Sequence, residues 1–273
     1  MGVSDGPGTS GGVPMSVGHL ADFWVSEYLD WYVKNGGSKV KMVTARETER
    51  VADFFERVRG LAVSRGYAAY LIDARTMDRL KLASIYRATV SGIDLDELIS
   101  SFSNQLVKRM GYDPSEIEPG RSFVDWVTEV KLRDRLSVCR EIREKLEASL
   151  FRNPAVNRTF ATAVIRLCLN HLGALDLPAD MDGSSLKETL FAWMKAEDVP
   201  LRDLRRHHVY IRIDRYNARV MLRSLARVAR MAGKTGLLLM IDGLEICWEG
   251  ARTAVRSTPG LPGTSSIRAC GSS

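Results

Sequence analysis

Apolar residues recur along this chain in two rhythms, and the changes of rhythm mark its elements. Residues 1–18 carry no periodic pattern, are rich in Gly, Ser and Pro, and are expected to be disordered. From 19 to 34, Leu20, Phe23, Trp24, Tyr28, Trp31 and Tyr32 recur at helical spacing. They predict a short amphipathic helix that packs its aromatics on the body of the domain and stops at Gly36-Gly37. Lys39–Thr44 then reads as a strand with Val40, Met42 and Val43 buried. A helix follows from near Glu47, with Val51, Phe54, Phe55, Val58, Leu61 and Ala62 on one face. Thr44-Ala45-Arg46-Glu47 fits the S/T-x-x-E capping box at its start, and Gly66 ends it. Tyr70-Leu71-Ile72-Asp73 reads as a second strand. Strand, helix and strand in that order predict a parallel βαβ unit with a right-handed crossover.

Between about Thr76 and Arg206 the rhythm is helical, broken at Gly92, Gly111, Pro114, Pro119-Gly120, Asn153-Pro154 and Gly183. Lys131–Leu150 predicts a highly charged helix, and Phe160–Leu172 an apolar one ending at Gly173. No repeat of fixed period is present. Ala218–Ala232 predicts a further helix with a stripe of Met221, Leu222, Leu225, Val228 and Ala229. Leu237–Asp242 is a run of apolar residues ending in an acid, the pattern of a buried strand whose C-terminal tip meets a ligand. The expected organisation is an α/β core at 19–75 and 207–250, interrupted by a helical insertion at 76–206. The final stretch, 251–273, loses periodicity and is expected to be a disordered or out-of-frame tail.

Composition adds limits. The chain has 273 residues, 45% of them hydrophobic, which suits a soluble globular protein with a sizeable core. Its net charge of +6 permits an acidic partner or nucleic acid without requiring either. Four cysteines, none in a CxxC pair, point to a reducing cytoplasm. No run of about 20 apolar residues predicts a membrane span. The N-terminus lacks a signal-peptide layout, and Gly6 breaks the myristoylation pattern.

The candidate chemistry lies at two places. Leu237–Asp242 resembles a Walker B strand, in which the acid, here Asp242, holds Mg²⁺ through water. Glu245 is the candidate to polarise an attacking water. The commoner position for that acid directly follows the Asp and here is Gly243. A Walker A loop cradles phosphates with backbone N–H groups, a lysine and a hydroxyl. Laid on the first strand–helix junction, that pattern puts Ala45 and Arg50 at the glycines, Val51 at the lysine and Ala52 at the hydroxyl residue. Glu47 and Glu49 stand where phosphate oxygens belong, so the motif is degenerate. Arg46 and Arg50 are the nearest replacements for the missing cation. Arg219, Arg223, Arg227 and Arg230 read as the solvated face of a helix, with a phosphate or nucleic-acid track as the competing reading. His207 and His208 are adjacent and diverge on any regular backbone, so they do not share a metal. Trp126 and Trp193 read as packing residues.

Several stretches carry a family resemblance in order: the aromatic helix before GGSKVKMVT, GYAAYLIDA, Asn153-Pro154 with the TFATAVIRL helix, ARVMLRSLARVARMAG and GLLLMIDGLE. Together they resemble the BrxC/BrxD-type P-loop ATP-binding proteins of bacterial BREX phage-defence systems, over about residues 20–250. Where that family reads something like GRPGSGKTH, this chain has ARETERVAD, sharing Arg46. The resemblance implies a P-loop NTPase-like, ASCE-type parallel sheet with a helical insertion, and ATP with Mg²⁺ as cofactors. It also implies other defence-system proteins as partners and, indirectly, DNA. Asp242 is carried over as the Mg²⁺ residue and Glu245 as the catalytic acid. ASCE strands beyond Walker B do not fit into the residues that follow, so the sheet is expected to be incomplete. The expected molecule is a degenerate or truncated ATPase component with impaired nucleotide binding. The alternative is a nucleotide-independent interaction or scaffold subunit of a defence complex.

Overall fold

A computed structural model of the protein describes residues 16–44, 48–77, 80–176 and 182–245. It is mixed α/β and mostly helical, with one two-stranded parallel sheet among the described residues. Helix α1 (Val17–Trp24) continues into a π-helical segment, Val25–Val33. Helix α2 (Thr48–Ser64) leads through Gly66 into β1 (Ala68–Asp73). A helical block follows: α3 (Leu82–Ser91), α4 (Leu95–Arg109), α5 (Phe123–Val130), α6 (Arg135–Phe151), α7 (Arg158–Leu172), α8 (Gly183–Met194), α9 (Leu201–Arg206) and α10 (Ala218–Met231). Strand β2 (Leu237–Asp242) comes last.

The helices begin where side chains satisfy their free N–H groups. Asp94, Ser122, Asp134, Asn157 and Asp182 each accept a hydrogen bond from a backbone N–H of the first turn of α4, α5, α6, α7 and α8. Helix α7 ends at Gly173, which has φ of 74° and closes the last turn in the left-handed region. This is the apolar helix expected over Phe160–Leu172, and it sits at the centre of the larger of two hydrophobic clusters. Phe160, Ala161, Ala163, Val164, Leu167, Cys168 and Leu169 are all buried there. The charged helix α6 joins through a single i, i+4 stripe of Val138, Ile142, Leu146 and Leu150. Helix α10 adds Met221, Leu225, Val228 and Ala229. Trp126 and Trp193 are packing residues, as expected: Trp193 is buried and its indole N–H donates to the Ile211 carbonyl at 2.7 Å.

The smaller cluster holds Ala21, Val25, Leu29, Phe54, Val58, Ala62, Tyr67 and Met240. It seats α1, its π-helical continuation and α2 on one face of the sheet. The Tyr67 hydroxyl fixes this contact by donating to the Leu29 carbonyl at 2.5 Å.

Two sequence-based expectations fail in this region. Lys39–Thr44 is not a strand. Val40 is 89% exposed and Met42 82% exposed, while Val43 alone of the three packs on the smaller cluster. The segment has no strand beside it among the described residues, and an isolated strand leaves its backbone donors and acceptors without a ladder. Lys41 instead lies over the Tyr28 ring, 4.6 Å from its centroid. The expected βαβ unit is therefore absent, and the parallel partner of β1 is β2, on the far side of the helical block. The aromatics of the first helix are also turned otherwise than expected. Its buried stripe is Ala21, Val25 and Leu29, whereas Phe23 is 56% and Trp31 67% exposed. The small and aliphatic residues allow a close approach of α1 to α2, which leaves several larger rings on the outer face.

No helix among the described residues is long and apolar enough to cross a membrane. The capping box at Thr44–Glu47 and the two terminal stretches, 1–15 and 246–273, lie outside the described residues or are cut by their limits.

The packing yields a contrast that tests these assignments. Phe160→Ala is expected to destabilise the protein by about 3–5 kcal/mol, because it empties a site in the middle of the larger cluster. Val40→Ala is expected to change stability by less than about 0.5 kcal/mol, because its side chain faces solvent. Urea denaturation of both variants checks the pair; a large loss for Val40→Ala places that residue in a buried strand after all.

Candidate functional site

The register of the sheet sets the site. Ala68 pairs with Leu237 and each following residue pairs in step, so Asp73 ends beside Asp242. Both strands are apolar until that residue, and both acids stand at the C-terminal edge of the sheet. Helix α2 turns into β1 through a short connection and packs on it, so the two run antiparallel. The first turn of α2 therefore lies at the same end as the two acids.

A single arginine organises the strand tips. After β1 the chain makes a 3₁₀ turn, Ala74–Thr76, capped by the Asp73 carboxylate, which accepts from the Arg75 backbone N–H at 2.9 Å. That turn aims the Arg75 guanidinium across both strands. Its Nε donates to Asp73 Oδ1 at 2.8 Å and its Nη2 to Asp242 Oδ2 at 2.7 Å. Its Nη1 reaches Glu245 Oε1 at 3.4 Å. Gly243 makes room for this arrangement. It has φ of 76°, and a Cβ there would lie 2.9 Å from both Arg75 Cγ and Asp73 Oδ1. The glycine that displaces an acid from the position after Asp242 is thus required by the arginine that crosses it.

The electrostatics follow. The side-chain hydrogen bond from Arg75, joined by that of its backbone N–H, holds the Asp73 carboxyl below its ordinary value of 3.8. Asp73 in turn is the main cause that raises Arg75. One guanidinium faces three carboxylates, so the cluster keeps a surplus of negative charge and favours a further cation. The side chains are partly open to solvent, which screens each pair.

Of the residues picked out in the sequence, Asp242 and Glu245 are brought together. Arg50 is exposed in the first turn of α2, at the same end of the layer. Arg46 lies outside the described residues, together with Ala45 and Glu47. Asp73 and Arg75 were not singled out. A signal for Asp73 was present, since Leu71-Ile72-Asp73 echoes Met240-Ile241-Asp242. Arg75 has none, because its decisive partner is 167 residues away. The arginines of α10 are at the surface, and Arg223 donates to the carbonyl of Pro154 at 2.8 Å.

The family model of the BREX system ATP-binding protein BrxC/D matches residues 54–259, about three quarters of the chain. The chain belongs to this family. The matched region includes both strands, Arg75 and the two acids of the second strand tip. No curated protein and no solved structure matches the chain. Membership of a BREX ATP-binding family makes Mg–ATP the group against which the site is tested. Among the described residues no three His, Cys, Asp or Glu side chains are arranged to hold a metal ion by themselves. Mg²⁺ that arrives with a nucleotide asks for less: one or two carboxylates, with phosphate and water filling the other positions. Asp242, at an edge with carboxylates in excess, fits that requirement.

Two measurements check this geometry. The Asp73 carboxyl is expected to titrate below the ordinary aspartate range by NMR and to return towards it in Arg75→Ala. Because its folded value is lowered, the stability it contributes is present above about pH 4 and is lost as the pH falls through the lowered value. Gly243→Ala is expected to cost about 1–3 kcal/mol, from a left-handed backbone and a crowded Cβ. An Asp73 titration indifferent to Arg75, or a neutral Gly243→Ala, contradicts the arrangement.

Proposed function

We propose that the chain is an ATP-binding component of a BREX phage-defence complex, with a P-loop-like core whose phosphate loop has decayed. Mg–ATP binds at the sheet edge between the first turn of α2 and the tip of β2. The observation that carries this is the meeting of Asp73, Asp242 and Glu245 around one guanidinium at the C-terminal ends of two parallel strands. In this reading Asp242 holds Mg²⁺ through water, Glu245 orients water at the phosphate, and Arg46 and Arg50 meet the phosphate oxygens in place of the missing lysine. Bound Mg–ATP supplies the transferable phosphoryl group. The chain's own residues position it and balance its charge. Without a glycine cradle the backbone donors are fewer, and binding is weaker than in an intact P-loop protein.

A second reading keeps the fold and drops the nucleotide. It makes the chain an interaction subunit that holds other defence proteins. The outward rings of Phe23, Trp31 and Tyr32, next to exposed Val40 and Met42, favour it, because apolar side chains gathered at one surface are costly to leave in water.

Calorimetric titration of the folded protein with Mg–ATP separates the two. Binding in the micromolar range is expected, weakened at least about tenfold in Asp242→Asn, which loses one charged contact. No heat up to millimolar Mg–ATP overturns the ATP reading and leaves the interaction subunit. In that case Trp31→Ser reduces co-purification with the other proteins of the system.

A further inference from the structure

Helix α7 is apolar on nearly all sides, and between Arg158 and His171 its one charged residue is Arg166. The Nε of Arg166 is shut off from solvent and has no hydrogen-bond partner. His207, at the C-terminal end of α9, is 4% exposed, and its Nδ1 is likewise buried without a partner. Two orphaned nitrogens on neighbouring elements are unusual, since buried polar groups are almost always bonded to protein, water or an ion. Their surroundings are cationic. Arg143 on α6 is close enough to Arg166 for its repulsion to be felt, and Arg166, Arg206 and His208 act on His207 in the same sense. The one acid that reaches His207 is Asp203, which also pairs with Arg202 at 3.4 Å. Among the described residues Arg143, Arg166 and Arg206 form no ion pair.

We propose that Arg166, Arg143 and His207 form an anion site for a single phosphate group, at the junction of α6, α7 and the end of α9. A guanidinium desolvated beside another guanidinium is costly unless an anion neutralises both. Donors from three different elements approach from different directions, which suits a tetrahedral oxyanion better than a planar carboxylate. The enclosure of Arg166 Nε and His207 favours one terminal or free phosphate over a continuous nucleic-acid backbone. This site lies on the helical block and uses none of the residues of the strand tips.

The test is binding of inorganic phosphate to the whole chain without nucleotide, by calorimetry and by the thermal midpoint against chloride at equal ionic strength. Phosphate is expected to bind and raise the midpoint, and to move the His207 imidazole signal in NMR. Arg143→Gln, at an exposed position that leaves the core intact, is expected to weaken phosphate at least about tenfold. Arg166→Met, checked for folding by circular dichroism, is expected to abolish it. No phosphate-specific effect, or an equal effect in Arg143→Gln, overturns the site. Binding of oligothymidylate but not of phosphate overturns it as well. Because no nucleotide is used, this result and the Mg–ATP titration succeed or fail independently.

Discussion

The contact on which the candidate site depends is the guanidinium of Arg75 laid across the ends of both strands. Two parallel strands that end in aspartates in register bring like charges together, and like charges at that distance resist assembly. Arg75 turns that repulsion into a link. It does so from a turn that Asp73 itself caps, so the acid that needs neutralising also positions the group that neutralises it. Gly243 completes the arrangement by having no side chain where the arginine passes. The edge is thereby held together while retaining a surplus of negative charge, a state suited to accepting a cation carried by a nucleotide.

The two hydrophobic clusters divide the work. The larger one, around α7, is a helical core that satisfies itself with little help from the sheet. The smaller one depends on the sheet for Met240, Leu238 and Ala69, and on α1 and α2 for the rest. A two-stranded sheet has little stability alone, so its order is lent by helices on either side: α2 packs on one side and α3 and α10 contribute on the other.

What could be read from the chain follows from the range of the forces involved. The helices α7 and α10 and the strand β2 were legible because their patterns are local: apolar spacing, a capping residue, a closing glycine. Asp242 and Glu245 were legible for the same reason. Lys39–Thr44 has the composition of a strand, yet a strand is made by its neighbour, and no local pattern reports whether a neighbour is there. The aromatic helix was read correctly as a helix and wrongly in its facing, because ring-rich spacing shows a face without showing which face is inward. The bond from Arg75 to Asp242 belongs to the topology and had no signature near either residue.

That separation in sequence also governs how the protein reaches its folded form. Arg75 and Asp242 lie 167 residues apart, and nearly all the helical block must be made between them. Parallel strands joined over such a distance pair late, because the entropy of closing the loop is recovered only after the intervening helices have packed. The acid-lined edge is thus assembled as a last step. A chain halted during synthesis before β2 has the helical core but not the edge. Ligand capture there reports that synthesis has passed the last strand, and any partner that recognises this edge distinguishes finished molecules from nascent ones.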